Sequence, residues 1–203
     1  METLFTGKLV RLAAPSRDDA EAFARWSQDA GYMRQLDTDY ARPYSAEGYI
    51  ERFNPGHDSP NTVAFHLRTL DDDRLIGFVA LHSIEWNNQA GLLSIGIGEP
   101  GYRGRGYGAD ALRLILRYAF EELNLYRVGL DVIADNARAI RAYEKAGFKH
   151  EGAMRGAVLR DGQRCDRLLM GILRDEWAAT EGTCTAARGC PGPSYSAEPS
   201  DAA

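Results

Sequence analysis

Two stretches of this sequence hold residue types that can do chemistry together. The first is Arg103-Gly104-Arg105-Gly106-Tyr107-Gly108. Glycines let consecutive amides turn inward without side-chain clash, so such a loop can form a nest for an anion. A helical pattern follows it, and a helix N-terminus points free N–H groups and a positive dipole end at the same spot. A pyrophosphate is the natural guest, and Arg103 and Arg105 can add charge-assisted contacts. The plainer reading is a flexible connector with solvated arginines.

The second stretch holds Asn136 and Tyr143, seven residues apart. At about 100° per residue they share one helix face. Asn136 can present its amide to a ligand, with the Tyr143 hydroxyl one to two turns deeper. The plainer reading makes Asn136 an N-cap and Tyr143 a core residue, since caps favour Asn strongly.

A third pattern overlaps the glycine loop. Gly96-Ile97-Gly98-Glu99-Pro100-Gly101 matches the G-x-G-x-x-G dinucleotide fingerprint. Its context is wrong: no helix opens at Gly101, and the acidic residue 20 further on, Glu121, falls on a helix instead of a strand end.

The elements around these stretches can be read from periodicity. Lys8 to Leu12 is a strand, and Ser16 caps a helix whose apolar stripe holds Ala22, Phe23 and Trp26. Gly31 to Tyr44 is irregular, and Ser45 starts a short helix through Phe53. Three strands follow at Thr62–Thr69, Arg74–Ile84 and Gly91–Gly98. From Leu112 the period becomes helical, with Ile115, Leu116, Ala119, Phe120 and Leu123 on one face and Arg113, Arg117 and Glu121 opposite. Tyr126–Ile133 is a buried strand, and Asn136 opens a helix that Gly147 stops. Asp161-Gly162 joins two final strands, Glu151–Leu159 and Arg164–Leu173. The order β-α-α-β-β-β-α-β-α-β-β predicts one mixed α/β (α+β) domain over 1–177. Residues 178–203, rich in Ala, Gly, Ser, Thr and Pro, are expected to form a disordered tail.

Composition narrows the function. A net charge of -5 argues against a general nucleic-acid binder. Cys165, Cys184 and Cys190 are odd in number, and neither they nor His57, His66, His82 and His150 show metal-ligand spacing. The histidines read as surface or packed residues, and no metal is expected. Met1 to Arg11 holds no long apolar run and no stretch is long enough to span a membrane, so no signal peptide, no membrane partner and a cytoplasmic location are expected.

With these residues in view, the chain resembles the GNAT superfamily of N-acetyltransferases. Arg103 to Gly108 matches its Gln/Arg-x-x-Gly-x-Gly/Ala signature, and Asn136 to Phe148 its Asn-x-x-Ala-x-x-x-Tyr-x-Lys-x-Gly-Phe signature. Glu151-Gly152, Asp161-Gly162, Asp166 and Met170 resemble the RimJ/RimL branch, while Leu123-Asn124-Leu125-Tyr126 is similar to bacterial spermidine acetyltransferases.

The resemblance implies a mixed sheet that splays between the Gly91–Gly98 and Tyr126–Ile133 strands. It implies acetyl-CoA as co-substrate, with pantetheine along Ile95, Gly96 and Ile97, pyrophosphate on the Arg103–Gly108 amides, and Asn136 and Tyr143 beside it. Tyr143 takes the position that protonates the leaving thiolate. Glu99 and Glu85 are candidate bases for the amine, with a water chain as the alternative. Tyr32, Asp37, Asp39 and Tyr40 are expected on the acceptor wall, where acidic and aromatic groups can receive a cation. The acceptor is then a peptide α-amine or a small amine such as a polyamine or amino sugar. A homodimer is compatible with this reading, and a catalytically idle CoA-binding module is the competing one.

Overall fold

The computed structural model describes residues 3–56 and 59–180. Strand β1 (Val10–Ala13) leads through a short 3-10 turn, Arg17–Asp19, into α1 (Ala20–Ser27). Ser16 caps that turn, its Oγ accepting the Asp18 amide at 3.1 Å. Helix α2 (Ala30–Leu36) occupies part of the segment expected to be irregular. Its cap is Asp29, whose Oδ1 accepts the Tyr32 amide at 3.0 Å. Helix α3 (Ala46–Phe53) is capped by Ser45 and ends at Asn54, in the left-handed region at φ 40°.

Strands β2 (Val63–Thr69), β3 (Leu75–Glu85) and β4 (Ala90–Ile97) form the expected antiparallel meander. Helix α4 (Tyr107–Arg117) starts directly at the end of the glycine loop, earlier than its apolar periodicity indicated. Its last turn widens into a π turn over Tyr118–Glu122. Then come β5 (Arg127–Ile133), α5 (Ala137–Lys145), the hairpin of β6 (Lys149–Arg160) and β7 (Gln163–Leu173), and α6 (Arg174–Thr180). Helix α6 carries the first three residues assigned from sequence to the tail, and 181–203 lie outside the described residues.

The seven strands form one mixed sheet in the order β1-β2-β3-β4-β5-β7-β6. Among the described residues only β4 and β5 run parallel, which requires the α4 crossover between them. Helix α4 buries Ala111, Leu112, Leu114, Ile115 and Leu116 in a core with Val10, Leu67, Ile76, Val79, Leu81, Val128 and Ile172. Each such aliphatic side chain contributes about 1.5–3 kcal/mol by leaving water. A buried carboxylate fastens the N-terminal strand to this helix. Asp110 Oδ2 accepts the amides of Lys8, Leu9 and Val10 at 2.9, 2.7 and 3.1 Å. The sheet and α4 therefore hold the glycine loop as one rigid unit.

Candidate active site

Strands β4 and β5 pair at three positions only, Ala90 with Arg127, Gly91 with Val128 and Leu92 with Gly129. Beyond Leu92 they part, and a cavity of about 490 Å³ opens between them. Ile95, Gly96, Ile97, Arg103, Gly104, Gly106, Gly108, Asn136 and Tyr143 all line it. The structure thus brings together most of the residues expected at the cofactor. Arg105 and Tyr107 are not among its walls; Arg105 Nη1 donates to Gly101 O at 3.0 Å, and the Tyr107 ring packs edge-on against Tyr102.

The loop works through its backbone. Gly104 and Gly106 sit at φ 74° and 92°, where any other residue would be strained. Gly106 is the N-cap of α4 and supplies no side-chain acceptor. The first-turn amides therefore have no side-chain acceptor from the cap, and Gly106, Gly108 and Ala109 at this end of α4 line the cavity. These donors, with no Cβ over the cradle, fit a pyrophosphate.

The expected phosphate contact from the Arg103 side chain is not what the structure places there. Arg103 Nε donates to Ile97 O at 2.9 Å and Nη2 to Gly98 O at 2.5 Å. Its Nη1 pairs with Asp29 at 2.8 Å, and its own amide bonds Pro100 O. Arg103 ties the end of β4 to the cap of α2, and that ion pair holds the Asp29 carboxyl below its ordinary range.

Tyr143 faces the cavity from α5. Burial, with the Asp131 carboxylate as a second cause, pushes its phenol up to about 12. It is therefore a hydrogen-bond donor throughout the neutral range. Asn136 fills the plainer role: its Oδ1 accepts the Ala139 amide at 3.1 Å as an N-cap, and its Nδ2 reaches Gln35 O at 3.3 Å. Asp131 on β5 is itself locked in a bidentate pair with Arg167 of β7, at 2.6 and 2.5 Å.

A second cavity of about 1010 Å³ adjoins the first. The two share Tyr32, Leu36, Asp37, His82 and Ser94 as wall residues. Tyr32 and Asp37 thus stand at the junction, while Asp39 and Tyr40 lie only on the second cavity. Tyr32 sits against β4 so closely that a Cβ on Gly96 would collide with its hydroxyl. Burial raises the Tyr32 phenol strongly, against the pull of the Arg103 charge. Deeper in this cavity, His66 Nδ1 lies 2.7 Å from Asp19 Oδ2, and Asp19 Oδ1 accepts from Arg68 at 2.5 Å.

Neither candidate base reaches these walls. Glu99 accepts from Arg25 at 3.0 Å and from Trp26 Nε1 at 3.3 Å, with Arg74 at 3.5 Å, which spends its carboxylate on the α1 side. Glu85 pairs across the hairpin with Ala90, at the closed end of the split. At ~3.3 Å per residue that is roughly 20 Å from Ile97. What the sequence reading missed is His82, on β3. Its Nε2 lies 3.0 Å from Ser94 Oγ and its Nδ1 3.2 Å from Ser83 Oγ. Burial lowers its pKa, partly offset by Asp131, so the imidazole is neutral at neutral pH.

Comparison with known proteins agrees with this geometry. The family described as acetyltransferase (GNAT) domain matches residues 10–149. The probable N-acetyltransferase YjcK of Bacillus subtilis (strain 168) is 33% identical over 139 residues, 66% of this chain and 75% of that protein. Spermidine N(1)-acetyltransferase of Escherichia coli (strain K12) is 28% identical over 163 residues, 77% of this chain and 87% of that protein. In fold, the spermidine N-acetyltransferase from Vibrio cholerae in complex with CoA and spermine superposes with a TM-score of 0.75 at 24% identity, over 83% of this chain and 97% of that one.

Proposed function

This chain belongs to the GNAT acetyltransferase family, and from that premise we propose that it moves acetyl from acetyl-CoA to a primary amine that enters through the aromatic second cavity. The observation that carries the reading is the meeting of two cavities at Tyr32, Leu36, Asp37, His82 and Ser94. One cavity has a backbone cradle for a pyrophosphate, and the other has room for an acceptor.

Acetyl-CoA supplies the activated acyl carbon, and the protein supplies position and protons. The amides of Gly104 to Gly108 bind the diphosphate end. The open edge of β4 from Leu93 to Ile97 offers backbone groups to an extended arm, as an added strand would use them. Tyr143 donates a hydrogen bond to the departing sulfur. A phenol raised to about 12 is a weak proton source toward a thiol of ordinary pKa about 8.5. Its main contribution is thus to stabilise the developing thiolate, with transfer following as burial raises the thiolate in turn.

The acceptor wall supports an amine on an apolar body. Phe23, Tyr32, Tyr40, Tyr44, Tyr49 and Phe53 line it. Of its two carboxylates one is answered by a cation: Asp39 lies 3.7 Å from Arg52, while Asp37 Oδ1 accepts the Asp39 amide. That balance favours one ammonium over several, hence a peptide α-amine or an arylalkyl amine, in keeping with the RimJ/RimL-like features. A polyamine is the second reading, favoured by the relation to the spermidine acetyltransferases. The test is thiol release from acetyl-CoA with a panel of N-terminal peptides, arylalkyl amines, amino sugars and polyamines. A kcat/KM at least tenfold higher for peptides or arylalkyl amines supports the first reading. The reverse ranking supports the second, and no turnover with any amine supports an idle CoA-binding module.

A further inference from the structure

We propose that His82 is the general base of this enzyme, taking the acceptor's proton through the hydroxyl of Ser94 and passing it to solvent by way of Ser83. The inference rests on the acceptor reading above and names the group that makes the amine a nucleophile.

Three independent features of the fold converge on this residue. First, His82 and Ser94 are two of the five side chains shared by both cavities, so they stand where an amine from one meets an acyl group from the other. Second, Ser94 Oγ lies 3.0 Å from His82 Nε2 and is half-buried, while Ser83 Oγ lies 3.2 Å from Nδ1 and is exposed. The imidazole thus bridges an inner hydroxyl and an outer one. Third, the strand is bent at this point. Ser83 sits at φ 50°, and the β3–β4 register shifts between His82 and Glu85. A bulge in a strand re-aims a side chain, and a non-glycine residue at positive φ persists only where the surrounding structure holds it.

The proton path balances. With Nδ1–H donating to Ser83, the Nε2 lone pair accepts the Ser94 O–H. The ammonium N–H bond breaks as Ser94 Oγ takes that proton and releases its own to Nε2. The freed nitrogen lone pair then forms the C–N bond while the C–S bond breaks, and the second N–H proton of the acylated nitrogen passes to the departing sulfur beside the Tyr143 hydroxyl, giving the amide and the free thiol. The Nδ1 proton leaves through Ser83 to water, which gives the neutral Nε2–H ring, and exchange with water after product release returns the Nδ1–H tautomer for the next turnover. The ionisable groups sharing the first cavity with His82 are Tyr32 and Asp37 from the α2 side, Arg103 of the glycine loop, Asp131 on β5, Arg138 and Tyr143 on α5, and Arg167 on β7. The Asp131 carboxylate is held by Arg167, so it favours the imidazolium only in part. Burial of the ring outweighs it and keeps His82 ready to accept a proton at neutral pH.

The experiment is kcat/KM for the best amine of the panel, measured from pH 6 to pH 10 in wild type, His82→Gln and Ser94→Ala. The same measurement is made with a weakly basic amine that is already unprotonated at pH 7. His82→Gln should lose about 10²-fold at pH 7 with the basic amine, the low end for a positioned base. The deficit should shrink toward pH 10 and nearly vanish with the weakly basic amine. Ser94→Ala, which removes only the relay hydroxyl, should show a smaller deficit of the same pH dependence and carries the test if His82→Gln fails to fold. Wild-type rates in both variants, or a deficit equal at every pH and for both amines, would overturn the assignment and leave His82 as a wall residue. A wild-type protein that turns over no amine is a different result: it overturns the acceptor reading itself.

Discussion

The guanidinium of Arg103 lies over the ring of Tyr32, 4.6 Å from its centroid. One residue belongs to the glycine loop and the other lines both cavities, so the loop and the second cavity share a contact. Arg103 also holds Asp29, the cap of α2. Arg103→Gln should therefore raise KM for acetyl-CoA and for the amine together, each by about tenfold, the equivalent of ~1.4 kcal/mol. Steady-state kinetics with each substrate varied in turn checks this. A change confined to acetyl-CoA would mean that the guanidinium serves the phosphates alone.

Gly106→Glu places a carboxylate and a Cβ at φ 92°, on the cradle itself. Acetyl-CoA affinity should fall by at least 10²-fold, since both charge and backbone strain oppose it. Calorimetric titration of a variant shown folded by circular dichroism measures the loss. An unchanged affinity would remove the loop from the cofactor site.

Tyr143→Phe keeps the ring that packs against Phe148 and removes only the hydroxyl. Acetyl-CoA affinity should hold while turnover drops by about 10²-fold or more. Single-turnover rates isolate the chemical step. Wild-type turnover would show that the departing sulfur needs no help from α5.

Asp110 couples stability to acidity. Burial raises its carboxyl, but the amides of Leu9, Lys8 and Val10 and the Arg113 guanidinium outweigh that, and the folded value lies below the ordinary one. A depressed carboxyl stabilises the fold above its unfolded value, near 3.8, and that contribution is lost as pH falls through the folded value. Asp110→Asn should cost about 1–3 kcal/mol at pH 7. Urea unfolding at a series of pH values from 7 to 3 should show the gap between variant and wild type closing at the acid end. A constant gap would assign the loss to packing alone.

Much of this was legible in the sequence because it depends on neighbours in the chain. The apolar spacing from Leu112 to Phe120 exposes α4, Asp161-Gly162 exposes the last hairpin, and Asn136 is a cap by its type and place. Helix α2 went unread because Gly31 and Tyr32 weaken a helical pattern, although Asp29 before it is a cap signal. The ion pairs of Glu99 and Arg103 stayed hidden for one cause. Their partners are Arg25, Arg74 and Asp29, more than 20 residues away, and only the folded chain reveals that those charges are spent. His82 and Ser94 were in principle within reach, since a hairpin turning at Asn87-Asn88 sets them on facing strands. Histidines weighed one at a time against metal spacings hide that pairing.

The parting of β4 from β5 means that this sheet has two of its edges on the inside. An ordinary edge invites a neighbouring molecule to add a strand, and here the only molecule that can do so is one narrow enough to enter the cleft. Along that line the two halves of the sheet are joined by three ladder pairs and by the Gln89 carbonyl, which accepts from the Tyr126 and Arg127 amides. A guest bridging both edges would finish the sheet, and its concentration would enter the folding equilibrium directly. At a hundredfold excess over its Kd it would add about 2.7 kcal/mol to the folded state. The empty protein would then be the softer form, and its unfolding and proteolysis should slow as acetyl-CoA or CoA, which share the diphosphate and the extended arm, is added.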